Sequence, residues 1–412
     1  MQSNAIIFAT LLAACGDSTS LSDAHPDFDA APDTTLDASD AAIDAPLDAA
    51  GCGSLPAQPS EVFVDRASTA SSIGTAACPF HSIVEATSLP APDATHPRSI
   101  RVAGAIPAQV YNEAALIAIA PHLAIVGAGE TQVTITGGGA CTSMIAGCTI
   151  SIAGGGGLRG VTVSNPTGNA LEVVGGAGAA LIDHVIASGS MRAGFLVRGP
   201  VTLDHVEARD NQGDGLNAKA GVVTVVASKF INNQGDGLDI DQGATLDLTG
   251  GQIHNNKSRG VLLHNGTQST ALMHRITGAD IQQNLFAGVD CAGNASLRLR
   301  GTTMFQNELG VLFQVGANQL DIGTAADPGN NIFAGATAVN RNVRAGLCME
   351  QTPATPVQQV EANAWTACPP PQRKITGPFC VSNNTYSDIA YVPAVTTSGA
   401  PAIPPTTCAI GP

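Results

Sequence analysis

Four carboxylates and a lysine crowd the middle of this chain. The pentapeptide NQGDG occurs twice, from Asn211 and from Asn233, so Asp214 and Asp236 fall in matching positions, and the second copy runs on as Leu238-Asp239-Ile240-Asp241. In an extended strand Asp239 and Asp241 point to the same side, roughly 7 Å apart by strand rise. Two carboxylates at that separation can act as the general acid and the general base of an inverting glycoside hydrolase. A Lys or Arg beside them offers a second chemistry, abstraction of the proton α to a sugar carboxylate, with calcium held by an aspartate to acidify that proton. Asp214, Asp236 and Asp239 are the weaker candidates for such a Ca2+; no other cofactor is expected.

Whether these side chains can meet depends on the elements that carry them. Six segments align on one glycine, at Gly194, Gly215, Gly237, Gly260, Gly288 and Gly310, spaced 21, 22, 23, 28 and 22 residues apart. The first residue after each glycine is Phe195, Leu216, Leu238, Val261, Val289 or Val311, and the third is Val197, Ala218, Ile240, Leu263, Cys291 or Phe313. That alternation is the period of a strand with one buried side. A unit of this size cannot cover its own apolar side and must stack on copies of itself. The units lack the leucine pattern and helical stretch of a leucine-rich repeat, so short strands joined by Gly and Asn turns point to an all-β parallel solenoid with coils of about 22 residues. Asn211, Asn233, Asn256 and Asn284, four residues before the glycine, and Asn307, three before, are placed to hydrogen-bond one another up and down the stack.

Stacking sets the polar columns side by side. Two residues after the glycine stand Leu196, Asn217, Asp239, Leu262, Asp290 and Leu312; four after stand Arg198, Lys219, Asp241, His264, Ala292 and Gln314. Lys219 is expected beside Asp241 in the adjacent coil, flanked by Arg198 and His264. These five residues, Asp239, Asp241, Lys219, His264 and Arg198, are the catalytic candidates. The plainer reading is a solvated face whose Lys219–Asp241 pair is a cross-strand ion pair contributing about 0.2–1 kcal/mol.

The segment VFVDRASTASSIGTAACPFHSIVEAT from Val62, with VYNEA from Val110, LAIVGAG from Leu123 and LDIGTAADPGNNIF from Leu320, resembles the right-handed parallel β-helix proteins of the pectin-lyase-like superfamily, and within them a bacterial domain family of unassigned chemistry. The resemblance spans roughly residues 61 to 335 and implies that fold, with a short helix near Phe80 to Ser88 capping the first coil. It does not imply an activity. GDGLDID is distantly similar to the N-T-D element of β-helix polygalacturonases, but their later Asp-Asp, G-H-G and R-I-K elements have no counterpart. LIDHV from Leu181 and LDHVE from Leu203 resemble a W-I-D-H element of pectate lyases without its Trp. His184 and His205, 21 residues apart, should stack. Two histidines can ligate a transition metal, yet the pattern shows no third ligand column. Tyr111, Tyr386, Tyr391 and Trp365 all lie outside the regular repeats, which disfavours a long groove of rings for sugar faces.

The ends of the chain bear on location. Ala5 to Ala14 is an apolar run too short to span a bilayer, and Leu12-Ala13-Ala14-Cys15 resembles a bacterial lipobox that would lipidate Cys15, although no Lys or Arg precedes the run. Residues 16 to 50 hold nine Asp and no Lys, Arg or Glu, and so supply nine of the fifteen net negative charges; like charges with little apolar surface make an extended tether. The expected organisation is a signal peptide (1–14), lipidated Cys and tether (15–54), parallel β-helix (55–335) and a Pro- and Cys-rich segment (336–412) that caps or continues it. Export implies an oxidising compartment. With Cys291 an inward core thiol, Cys52, Cys78, Cys141, Cys148, Cys348, Cys368, Cys380 and Cys408 remain as disulfide candidates, most simply paired in sequence order, 52–78, 141–148, 348–368 and 380–408. A net charge of −15 disfavours nucleic acid, and no phosphate loop is present, since GGGGLRG from Gly154 lacks the Gly-Lys-Ser/Thr ending. The expectation is a membrane-anchored lipoprotein of the outer membrane or cell surface. It presents a non-catalytic scaffold, adhesin-like or weak glycan-binding β-helix; the alternative is a polysaccharide lyase or glycoside hydrolase.

Overall fold

A strand of a few residues cannot hide its apolar side alone, so this chain hides it by winding. In a computed structural model that describes residues 52–141, 147–241, 243–265, 272–314, 317, 319–324, 326–333, 341–350, 362–365, 372–374, 387–391 and 408–410, short strands stack as parallel ladders around one apolar core. Cys15, the tether up to residue 51, Cys368 and Cys380 lie outside the described residues, and of Cys408 only the backbone is described. The one antiparallel pairing among the described strands joins Gly139–Ala140 to Gly147–Ile152, beside the Cys141–Cys148 disulfide. Cys52 is bonded to Cys78, Cys348 is also disulfide-bonded, and Cys291 is a buried free thiol whose burial holds it protonated. No helix among the described residues is long and apolar enough to cross a membrane.

The expected register holds coil on coil. Phe195 pairs with Leu216, Leu216 with Leu238, Leu238 with Val261, Val261 with Val289 and Val289 with Val311. The column continues through Leu347 and Ile389. The described strands Ala345–Met349 and Ser387–Tyr391 thus extend this ladder, and Trp365 is buried in the core, stacked on Phe333 at 4.6 Å.

The repeat glycine is required by the stacking distance. A Cβ on Gly237 would lie 2.6 Å from the carbonyl oxygen of Gly260 in the next coil, and Gly215, Gly260 and Gly288 meet the same obstacle. Gly237→Ala is expected to destabilise the fold by about 1–3 kcal/mol through this overpacking, read as a lowered denaturation midpoint. An unchanged midpoint would contradict the stacking account.

Two left-handed corners per coil turn the strands around the core. One is the residue before the asparagine ladder: Asp210, Asn232, Asn255, Gln283 and Gln306 have φ of 57–59°. The other is a column of Gly160, His184, His205, Ala227, Gly250, Gly278 and Gly301, all with positive φ. The ladder itself forms as expected, Asn211 donating to Asn233, Asn233 to Asn256, Asn256 to Asn284 and Asn284 to Asn307 through side-chain amides at 2.9–3.1 Å, and it reaches Asn342.

The expected capping helix spans Ile83–Thr87, with Ser82 as its N-cap. Its Ile83 and Ala86 are buried in the core. Glu113 ties it down, accepting from the Ile83 amide at 2.8 Å and the Ser82 hydroxyl at 2.6 Å. This closes the apolar end that an uncapped coil would expose.

Candidate functional site

The strand Leu238–Asp241 lies between Leu216–Ala218 and Val261–His264 in one parallel ladder, with Asp239 opposite Asn217 and Leu262. Inward Leu238 and Ile240 anchor it, which leaves Asp239 and Asp241 on the outer face. Lys219 reaches both: its Nζ is 3.1 Å from Asp241 Oδ2 and 3.5 Å from Asp239 Oδ2. His264 Nδ1 stands 3.5 Å from Asp241 Oδ1. Arg198 is placed differently, with its Nε 3.7 Å from the buried Glu172 carboxylate one coil further up.

The sequence pattern did not single out Asn217. Its amide donates to Asp214 Oδ2 at 2.9 Å and to Asp239 Oδ2 at 2.8 Å, joining the first NQGDG copy to the aspartate that follows the second. The turn aspartates also accept from the backbone: Asp214 Oδ1 from the Asp236 amide at 2.8 Å, and Asp236 Oδ1 from the Arg259 amide at 2.7 Å. Asp214, Asp236 and Asp239 are thus bound into the coil stack by these bonds, and they are not among the described groups whose donor atoms converge as a metal site would need.

Burial decides the electrostatics. Asp239 is raised to about 6, chiefly by burial; Lys219 opposes the shift, while Asp214, Asp236 and Asp241 add to it. Burial also raises Asp236 and Asp290. The outer column is less solvated than the alternation suggests. Asp290, Leu312 and Ala292 are buried, Asp290 beneath Arg259 (Nε–Oδ2 2.6 Å) and Gln314 (2.7 Å). Alternation decides which side a residue takes; it does not decide what covers that side.

Beside this network, toward the N-terminal coils, is a depression of about 320 Å³ lined by Arg192, Arg198, Lys219, Asn169 and Asn217, with Asp214 as its carboxylate. Tyr111 and Trp365 are buried and offer no ring to it.

His184 and His205 stack as expected, ring centroids 5.1 Å apart and planes 9° from parallel. The missing third ligand is a correction: Asp183, His184 and His205 each offer a donor atom within 4.8 Å of the others. Neighbours on a strand normally face opposite sides. The left-handed backbone at His184, φ 48°, cancels that alternation.

The family model described as right handed beta helix region matches residues 131–304. No curated protein matches the chain. Among solved structures, pectate lyase Pel9A is 15% identical with a TM-score of 0.49, over 63% of this chain and 73% of that one. A mannuronan C-5 epimerase A-module of Azotobacter vinelandii is 13% identical with a TM-score of 0.36, over 80% and 94%. The enzymatically active domain of tailspike protein 2 of bacteriophage CBA120 is 11% identical with a TM-score of 0.44, over 61% and 43%. The family match covers the ladder from Asn211 to Asn284, and the protein is a right-handed parallel β-helix.

Proposed function

We propose that this is an exported lipoprotein, anchored through Cys15 at the outer membrane or cell surface, whose acidic tether presents the β-helix as a non-catalytic, adhesin-like scaffold that binds acidic glycans weakly. One observation carries the non-catalytic part: the candidate groups satisfy one another. Lys219 faces both Asp239 and Asp241, and Asn217 holds Asp239 to Asp214. A hydrolase needs an acid and a base separated by room for water, and a lyase needs a base free to take a proton. The depression alongside supports the glycan. Arg192, Arg198 and Lys219 gather cationic groups in a chain of net charge −15, and guanidinium groups suit carboxylates. With no aromatic ring among the described residues that line it, binding is weak.

Asp239 favours a second reading. A carboxyl at about 6 can exchange a proton near neutrality, as a polysaccharide lyase or glycoside hydrolase requires. A screen on polyuronates and neutral glycans separates the two. Binding of polyuronates without cleavage, weakened in Arg192→Ala and Arg198→Ala, is the expected result. Turnover abolished by Asp239→Ala or Asp241→Ala would establish the enzyme instead, and the absence of both binding and turnover would remove the glycan from the proposal.

A further inference from the structure

We propose that Asp183, His184 and His205, joined by Asp204, form a surface site for a divalent transition-metal ion of the zinc, nickel or copper class. The backbone supplies the first reason. Their corner column is otherwise Gly160, Ala227, Gly250, Gly278 and Gly301, with φ between 46° and 67°. Glycine takes that conformation freely, and a side chain costs about 1–2 kcal/mol there. Histidine tolerates it better than most residues, yet the winding asks only for glycine. Three adjacent coils depart from it, at His184, His205 and Ala227, and the first two place a histidine there directly after an aspartate.

The second reason is the arrangement of donors. Asp183 sits opposite Asp204 in the ladder. Each aspartate meets the Nδ1 of the histidine that follows it, His184 in close contact with Asp183 and His205 at 2.7 Å from Asp204. The Asp204 carboxylate on one ring nitrogen of His205 fixes that ring and makes it a better ligand, while Asp183 is itself one of the ligands. Imidazole with carboxylate is the donor set of zinc, nickel and copper rather than calcium or magnesium. Donors on one tetrahedral zinc are roughly 3.3 Å apart for bonds of about 2.0–2.1 Å. The set within 4.8 Å therefore needs to close by at most about 1.5 Å, and both rings are about half exposed. Arg159, whose Nε is 2.9 Å from Asp183 Oδ2, is the cation the ion would compete with. The depression in front of the rings, bordered by Glu130, Glu207 and Lys229, leaves the remaining coordination positions to water or an outside ligand.

Calorimetric titration of the untagged full chain with ZnCl2, and separately NiCl2, in a non-chelating buffer at neutral pH tests the site, with CaCl2 as the comparison. Saturable binding of one zinc per chain without a calcium response is expected. His184→Asn and His205→Asn keep a residue that accepts the left-handed corner, and each should weaken zinc binding at least about 10-fold, Asp183→Asn by about 10- to 100-fold, with unchanged circular dichroism. No saturable zinc binding by the wild-type chain, or undiminished binding in the double variant His184→Asn/His205→Asn, would overturn the proposal.

Discussion

Asn256→Ala is expected to destabilise the protein by about 3–5 kcal/mol, although it removes no apolar contact of consequence. The Asn256 amide donates to the Phe230 carbonyl at 3.1 Å and to Asn284 Oδ1 at 2.9 Å. Its own oxygen accepts from both the backbone and side-chain amides of Asn233, at 3.1 and 3.0 Å. Alanine leaves the Asn233 N–H and the Phe230 carbonyl without these partners in a place that water does not reach, since Asn256 and Asn233 are both buried. Each orphaned group costs about 1–3 kcal/mol. The neighbouring Asn255 provides the control, because it is exposed and holds a left-handed φ of 58°. Asn255→Gly should leave stability within about 0.5 kcal/mol. Denaturant unfolding of both variants decides the matter: a loss below about 1 kcal/mol for Asn256→Ala would show that the ladder is ornament.

Asp239→Asn is expected to act in the opposite direction and to depend on pH. The folded carboxyl titrates at about 6 against 3.8 for an unperturbed aspartate. Between those values the folded state binds the proton more tightly than the unfolded state does, so stability falls as pH rises through that window. Above it the ionised carboxylate costs up to roughly 3 kcal/mol. Asparagine removes that charge and can still accept from Asn217, while Lys219 keeps Asp241. The variant should be more stable than wild type by about 1–3 kcal/mol at pH 8, with the difference vanishing near pH 4. A variant less stable than wild type at pH 8 would mean that the Lys219–Asp239 attraction outweighs burial. The expected gain bears on function, because positions where the native residue lowers stability are commonly held for binding or catalysis.

Much of this molecule is legible in local pattern. The residues one and three after each repeat glycine are core because period-two alternation and a 21- to 28-residue spacing leave them no other cover than their own copies. The asparagine column follows from the same register, since equal positions in successive coils stand one strand spacing apart. The pairing of Lys219 with Asp241 follows from it too.

Other features depend on contacts that no spacing encodes. The glycine recurs in the sequence, but its reason, a carbonyl of the next coil 2.6 Å from where a Cβ would stand, exists only between coils. Asn217 joins two aspartates because its amide has two hydrogens and the stack brings both carboxylates within reach. Asp290 reads as an outward carboxylate and is buried, because Arg259 and Gln314 close over it. Asp183 and His184, set on opposite faces by alternation, share one corner because a single left-handed residue reverses the sense of the strand. Local periodicity determined the solenoid and its columns, because side-chain direction in a strand is a property of the backbone alone. Which polar groups are covered, and which meet, was decided by the tertiary structure, because burial and corner geometry depend on neighbours a full coil away.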